Sequence, residues 1–289
     1  MQNKLYSYKF IFPALFIFTA LYTVPTVASF IFSFTDWNMY KEGISFVGIE
    51  PIKTVLEDPV FRKAIVNIFI YAFITTVLQN VIGLGIALIF NRGLKTKSLL
   101  QTMFFLPTIL SALVIGITFG VLMHPTEGLF NNLLGSIGLD ALALNWLSDP
   151  AIAMYSITGI NIWQYVGFSM VIYIAALQSV PNHLYEAARI DGANKWVQFK
   201  SITLPMIGQG VTINIMLALI GSFKVFDTVY VLTGGGPGNA TEVINTYVYR
   251  EMAMGRYNTG SAGSLILFVI VTVISVLFLK FLRRNEVEA

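Results

Sequence analysis

Cysteine is absent from this sequence of 289 residues, and charged residues make up only 11% of it. The lack of cysteine excludes disulfides, thiolate catalysis and cysteine-ligated zinc or iron–sulfur centres. A soluble domain carries roughly 25% charged residues, whereas here 56% of the residues are hydrophobic. A water-soluble fold could not bury so much apolar surface. The composition therefore predicts a protein that crosses a membrane several times.

Motifs for nucleotide and metal chemistry are missing as well. The two histidines, His124 and His183, stand alone, with no His-Glu-x-x-His motif and no Gly-x-x-x-x-Gly-Lys-Ser/Thr phosphate loop. We therefore expect no metal, no ATP and no other cofactor to be bound by this chain. The long apolar stretches contain no Asp or Glu, which disfavours a proton-driven pump but leaves sodium coupling through backbone carbonyls open.

Six charge-free stretches are each long enough to cross a hydrocarbon core of about 30 Å. The fourth runs past Pro181, which cannot continue a helix, so we expect that span to end near Gln178. The pattern predicts an all-α integral membrane protein with a single domain, 1–289. The predicted spans are 10–35, 64–91, 98–123, 151–178, 201–223 and 257–279, and the fourth and fifth are joined by a loop at 179–200.

Lysine and arginine are distributed unevenly between the two sides of this predicted topology. The side with both termini, the second loop and the fourth loop has eleven basic and four acidic residues, and the other side has seven and eleven. Loops that remain in the cytoplasm carry the excess of Lys and Arg. We therefore expect both termini to be cytoplasmic.

The fourth loop is longer than two antiparallel helices require. Asn182 is a suitable N-cap and Gly192 a suitable left-handed residue after a helix end, so together they predict a helix of two to three turns. Such a helix could lie passively on the inner membrane surface. Alternatively, its small residues Ala187 and Ala188 could seat it in a cleft of a partner, with Glu186 paired to a partner arginine.

The sequence of this loop resembles a known signature. Glu-Ala-Ala-x-x-Asp-Gly-Ala at 186–193, followed by Ile-x-Leu-Pro at 202–205, is similar to the signature loop of binding-protein-dependent ABC importer permeases. Further segments resemble the maltose and glycerol-phosphate branch of carbohydrate importers. They are Phe-Leu-Pro-Thr at 105–108, Trp-Leu-Ser-Asp-Pro at 146–150, Leu-Gln-Ser-Val-Pro at 177–181, Phe-Asp-Thr-Val-Tyr at 226–230 and Leu-Thr-Gly-Gly-Gly-Pro-Gly-Asn-Ala-Thr-Glu at 232–242.

The resemblance implies a type I ABC importer permease in a bacterial or archaeal inner membrane. The implied partners are a second permease subunit, an extracellular or periplasmic solute-binding protein and two cytoplasmic ATPase subunits that carry the ATP and Mg²⁺; no nucleic acid is implied. The fourth loop becomes a coupling loop, and the coupling helix is expected to seat in a groove of an ATPase. The implied coupling residues are Glu186, Ala187, Ala188, Asp191 and Gly192.

A candidate substrate path follows from one helical face together with the family pattern. Asn161, Gln164, Tyr165 and Phe168 fall at i, i+3, i+4 and i+7, so they share a face of the fourth span. The family pattern adds three candidates on and just after the fifth span. The alternative is that these polar residues join helix to helix. The added candidates are Asn214, Ser222 and Phe226.

The implied function is import of a sugar, in the first place an oligosaccharide. Glycerol phosphate or another polar solute fits the same few polar residues. Two other classes make distinct demands on the sequence: a self-contained secondary transporter or channel would need no docking helix, and an intramembrane enzyme would need a catalytic constellation within a span. The sequence contains no such constellation.

Overall fold

A computed structural model describes residues 10–91 and 96–283, and the regular elements in that part of the chain are helices. A π-helical turn at Thr19–Thr23 joins α1 and α2, and a second one at Phe199–Thr203 joins α10 and α11. The helices are α1 (Phe12–Phe18), α2 (Val24–Phe32), α3 (Glu50–Glu57), α4 (Pro59–Phe90), α5 (Lys97–Ile109), α6 (Ala112–Leu122), α7 (Leu129–Ser136), α8 (Ala153–Gln178), α9 (Asn182–Ile190), α10 (Lys195–Gln198), α11 (Leu204–Met206), α12 (Gly208–Phe223), α13 (Asp227–Thr233), α14 (Ile244–Ala253) and α15 (Tyr257–Arg283).

Four helical stretches of the described chain are long and apolar enough to cross a membrane, namely Phe12–Phe32, Pro59–Phe90, Ala153–Gln178 and Tyr257–Leu282. Two further stretches are long and apolar enough only when two helices joined at a bend are counted together. Helices α5 and α6 meet at 97°, and the stretch Lys195–Met206 meets α12 at 69°. The described chain therefore has up to six spans if each bent pair counts as one.

The third predicted span, 98–123, is not one straight helix. Pro107 lies inside α5, and Leu110 leaves the helical region with ψ 138°. Ser111 then begins α6 by accepting a hydrogen bond from the Val114 amide at 3.3 Å. Proline removes a helical hydrogen bond and crowds the preceding turn, which weakens the helix at this point. The break itself follows Pro107, at Leu110 and Ser111.

The fifth predicted span also differs from the expectation. Its helical stretch begins at Lys195, inside the predicted loop 179–200, because the Asn194 side chain accepts from the Val197 amide at 3.0 Å and caps α10. The break falls at Ile207, two residues after Pro205. Asn194 thus starts the helical stretch before residue 201, where the charge-free run begins. Pro205 precedes the bend.

The helix predicted within the fourth loop is present as α9, and α8 ends at Gln178 as predicted. Pro181 occupies the N-cap position, so Asn182 is the first helical residue and not the cap. Gly192 has a φ of +77°. The Ala193 amide donates to the Ala188 carbonyl at 2.8 Å, and the Gly192 amide donates to that of Arg189 at 3.1 Å. These two bonds form a Schellman motif that satisfies the last carbonyls of α9.

The described chain divides into two compact units. The first contains the residues up to Arg62 together with Tyr247–Val269. In it, the Trp37 ring packs on Tyr257 with centroids 4.6 Å apart, and the Asn258 amide donates to the Trp37 carbonyl at 2.9 Å. The Tyr247 hydroxyl donates to the Asp58 carboxylate at 2.9 Å. Burial raises the pKa of Tyr247, so this phenol stays a neutral donor.

The second unit, Lys63–Thr246 with residues from Ile270 onward, is built around α8. Small residues let neighbouring helices approach this helix closely. A Cβ atom added at Gly167 would lie 1.9 Å from the Phe104 carbonyl oxygen of α5. One added at Gly83 of α4 would lie 2.8 Å from the Ser169 Cβ. Helix α8 thus contacts its neighbours nearly backbone to backbone.

We expect Gly167→Ala to destabilise the protein by about 1–3 kcal/mol, because the added methyl group would push α5 away from α8. Gly159→Ala on the same helix is the matched control, since a Cβ there has nothing within 4 Å. Removing a helical glycine stabilises by about 0.5–1 kcal/mol, so the control should be neutral or more stable. Thermal unfolding of both purified variants measures the difference. Equal unfolding temperatures would contradict the close approach.

Candidate functional site

A cavity of about 400 Å³ lies in the second unit, among α4, α8, α12 and the start of α13. Its wall has apolar and polar parts, as ligand pockets of about 300–1,000 Å³ usually have. Six of the seven residues predicted for a substrate path line it. They are Asn161, Tyr165, Phe168, Asn214, Ser222 and Phe226.

Gln164, the seventh, does not line this cavity although it shares a helical face with three residues that do. Its side chain is 2% exposed, and its amide nitrogen donates to the Leu110 carbonyl at 3.1 Å. In turn, the Thr108 hydroxyl donates to the main-chain carbonyl of Gln164 at 2.8 Å. The amide nitrogen of Gln164 therefore bonds the break of the third predicted span, and its side chain does not line the cavity in this structure. Its assignment to the substrate path stays a prediction. The alternative reading, a helix-to-helix bond, describes this residue.

Asn214 is the most deeply buried polar residue of the cavity wall, at 1% exposure. Its amide nitrogen donates to the Ser169 carbonyl at 3.4 Å, while its Oδ1 atom is buried and has no hydrogen-bond partner among the described residues. The Ser222 hydroxyl donates to the Ala218 carbonyl of its own helix at 2.7 Å. A buried acceptor without a partner is costly. Asn214 therefore lines the cavity while holding a buried acceptor that no described donor satisfies.

Aromatic rings form the apolar part of the wall. Tyr165 and Phe168 are each 37% exposed and lie one helical turn apart, so both present ring surface to the cavity. Phe226 stacks on Tyr230 with centroids 5.1 Å apart and planes inclined by 18°. Flat apolar faces next to amide groups suit a ligand that has both C–H faces and hydroxyl groups.

Ten further residues of the lining escaped the sequence reasoning, and three of them have an amide or a charged group, namely Gln79, Lys224 and Asp227. Gln79 belongs to α4, where it stands next to Asn80, and its Nε2 atom donates to the Ser169 hydroxyl at 2.8 Å. Lys224 and Asp227 are exposed. Asp227 belongs to the segment 226–230, whose family resemblance was the signal that could have found it. Among the described residues, the lining contains one cation and one anion.

Helix α9 presents the five predicted coupling residues at the end of a loop. Glu186, Ala187, Asp191 and Gly192 are exposed, and Ala188 is partly buried. Within the described residues Glu186 makes no ion pair. Ile190, beside them, is 88% exposed. An exposed carboxylate next to small and apolar side chains suits docking on another protein better than contact with water alone.

A helical membrane protein with bent apolar helices, a mixed polar and aromatic cavity and an exposed short helix has the features of a solute permease. The model of the family "binding-protein-dependent transport system inner membrane component" matches residues 79–286. The chain therefore belongs to this family of transport permeases, which are not themselves enzymes. The all-α fold and the resemblance to ABC importer permeases are confirmed.

Individual relatives are similar over nearly their whole length. A probable ABC transporter permease of Bacillus subtilis is 36% identical over 99% of both chains. A trehalose/maltose transport system permease of Thermococcus litoralis is 32% identical over 95% of this chain and 92% of the relative. A probable permease of a starch degradation products transport system of Thermoanaerobacterium thermosulfurigenes is 31% identical over 99% of this chain and 97% of the relative.

Solved structures of a bacterial alginate importer have the same fold. In the crystal structure of the ABC transporter involved in alginate import, one chain matches with a TM-score of 0.83 and 25% identity, covering 96% of this chain and 94% of that one. A chain of a bacterial alginate ABC transporter in complex with an alginate pentasaccharide-bound periplasmic protein matches with a TM-score of 0.82 and 25% identity, covering 94% of this chain and 91% of that one.

We expect Gln164→Leu to destabilise the protein by about 1–3 kcal/mol, because the Leu110 carbonyl at the α5–α6 break would lose its donor. Thr108→Val should cost less, about 0.5–1.5 kcal/mol, because the Gln164 carbonyl lies within α8 and keeps its helical donor. Thr102→Val is the control on α5, since the Thr102 hydroxyl bonds only the Ser98 carbonyl of its own helix, at 3.0 Å. Thermal unfolding measures stability, and uptake measures solute preference. If Gln164→Leu kept full stability and changed which solutes are carried, Gln164 would belong to the path after all.

Proposed function

We propose that this chain is one of two permease subunits of an ATP-driven importer, and that its cavity is part of the path for an oligosaccharide. A binding protein outside the membrane would deliver the sugar. The single observation that carries the proposal is the cavity itself, in which amides and aromatic rings from α8 and α12 face one space. The named functions of the relatives, with trehalose, maltose, starch products and alginate among their solutes, support a saccharide.

The chemistry of the lining suits a sugar. The amide of Asn161 can both donate to and accept from sugar hydroxyl groups. The rings of Tyr165 and Phe168 cover the apolar C–H face of a pyranose. Glycerol phosphate would place two negative charges in a cavity whose one cation, Lys224, is offset by Asp227. The lining therefore favours a sugar over a phosphate ester.

The free energy of ATP binding and hydrolysis would be transmitted to this chain through α9. We propose that Glu186 forms a salt bridge to an arginine of a separate ATPase subunit, while Ala187, Ala188, Asp191 and Gly192 allow close packing in its groove. ATP and Mg²⁺ would then be bound and used on two such ATPase subunits. The distribution of basic residues supports a cytoplasmic position for this helix and for both termini.

We expect Glu186→Lys to lower sugar-dependent ATP hydrolysis and uptake by at least about tenfold, because it places like charges together at the docking site. The complex is reconstituted from all subunits, and ATP hydrolysis is measured with and without the sugar-loaded binding protein. Glu57→Lys, a charge reversal at an exposed position outside α9, is the matched control. Restoration of activity by the reciprocal arginine-to-glutamate change in the ATPase would identify the pair. Normal coupling in Glu186→Lys would refute the docking role.

For the path, we expect alanine at both Asn161 and Tyr165 to lower uptake by more than about tenfold. One lost hydrogen bond costs about 0.5–1.5 kcal/mol, so Asn161→Ala alone should cause only a several-fold loss. ATP hydrolysis stimulated by the binding protein should largely persist, since α9 is untouched. Tyr155→Ala is the control, because Tyr155 is an exposed tyrosine of α8 that does not line this cavity. An assembled double variant that carries every tested sugar at the parental rate would exclude this face from the path.

A further inference from the structure

A second concave site of about 610 Å³ lies beside the coupling helix. It is formed within the second unit by the ends of α4 and α8 together with α9, α10 and the π-helical turn that follows. Neither the substrate path nor the docking residues use it. The residues that decide its chemistry are Leu88, Asn91, Leu177, Arg189, Lys195 and Trp196.

The groove is cationic. Arg189 of α9 and Lys195 of α10 both line it, and none of its described lining residues is acidic. Neither cation forms an ion pair within the described part of the chain. The acids nearest in sequence, Glu186 and Asp191, are exposed and lie outside the lining. Two cations that share a groove without a counter-charge favour an anionic ligand.

The other wall of the groove is apolar and belongs to the ends of two membrane helices. Leu88 lies in the last turn of α4 and Leu177 in the last turn of α8. Both helices are long and apolar enough to span a membrane. Trp196 is 69% exposed. Exposed tryptophan is typical of the boundary between hydrocarbon and water. The groove therefore joins a charged part to an apolar part at the level of lipid headgroups.

We propose that this groove binds an anionic phospholipid of the cytoplasmic leaflet. Arg189 and Lys195 bind the phosphate-containing headgroup, with Asn91 as a further hydrogen-bonding group, and the start of an acyl chain lies along Leu88 and Leu177. Basic pockets at the cytoplasmic ends of membrane helices bind anionic headgroups in this manner. The inference rests on the cytoplasmic orientation proposed above.

Lipid and ATPase would use different faces of α9. Tyr185 and Arg189, one turn apart, line the groove, whereas Glu186 and Ile190 are exposed and do not. The Tyr185 hydroxyl lies 3.0 Å from that of Thr203 in the π-helical turn after α10. A bound headgroup would contact Arg189 of α9 and Lys195 of α10, in addition to the contact between Tyr185 and Thr203. It would thereby restrain α9 on the side that does not carry Glu186.

The test uses the complete transporter in nanodiscs whose lipids carry brominated acyl chains, which quench nearby tryptophan fluorescence. The contribution of Trp196 is the difference between the parent and Trp196→Phe. We expect brominated phosphatidylglycerol to quench this contribution at a much lower mole fraction than brominated phosphatidylcholine. At about 1 kcal/mol for each basic residue, Lys195→Gln should lower the preference about fivefold, and Lys195→Gln with Arg189→Gln about thirtyfold.

Lys200→Gln is the matched control, because Lys200 is an exposed lysine of the same segment that does not line the groove. It should keep the preference, and Arg189→Lys with Lys195→Arg, which retain both charges, should keep most of it. Equal quenching of the parent by both lipids, or an equal loss in Lys200→Gln, would overturn the proposal. Loss of the preference in millimolar inorganic phosphate at constant ionic strength would also overturn it, since the groove would then be a site for a soluble anion.

Discussion

A break in a membrane helix frees backbone groups that water cannot reach, and the fold of the second unit depends on how α8 satisfies them. Leu110 is the C-cap of α5, and its carbonyl accepts from the Gln164 side chain at 3.1 Å. Leaving this carbonyl without its donor should cost about 1–3 kcal/mol. Gly167, less than one turn further along α8, lets the two backbones come close enough for this bond to form. The bend of the third span is therefore inseparable from the small and polar residues of α8.

The same helix links the cavity to the loop that contains α9. Asn161, Tyr165 and Phe168 lie in its middle, and it ends at Gln178, only four residues before α9 begins at Asn182. A displacement of α9 therefore acts directly on the helix that carries one wall of the cavity. No long flexible connection would absorb the movement. In the proposed importer this continuity couples ATPase closure to the path, and a lipid beneath α9 would set the resting position of the coupling helix.

The sequence correctly predicted those structural features that depend on only a few neighbouring residues. Pro181 predicted the end of α8, and Gly192 predicted the end of α9 in a left-handed residue. The third and fifth spans were each predicted as one segment, because charge-free length says nothing about a bend. Pro107 and Pro205 stood in these stretches, but a proline within a membrane helix produces a break only if neighbouring helices satisfy the freed groups. For the break after Pro107, that condition depends on Gln164, more than fifty positions along the chain from Leu110.

The sequence by itself determined the class of the protein, its apolar segments, the extent of α9 and six of the sixteen residues that line the cavity. Hydrophobic length, capping and helical periodicity account for the apolar segments, for α9 and for the candidates on α8, whereas Asn214, Ser222 and Phe226 came from the resemblance to a family. Only the tertiary structure decided that Gln164 holds a backbone break while its neighbours face the cavity, and that Gln79, Lys224 and Asp227 join them. Periodicity defines a face of about a third of a helix, but the position of each neighbouring helix decides which part of that face meets a cavity and which meets a backbone.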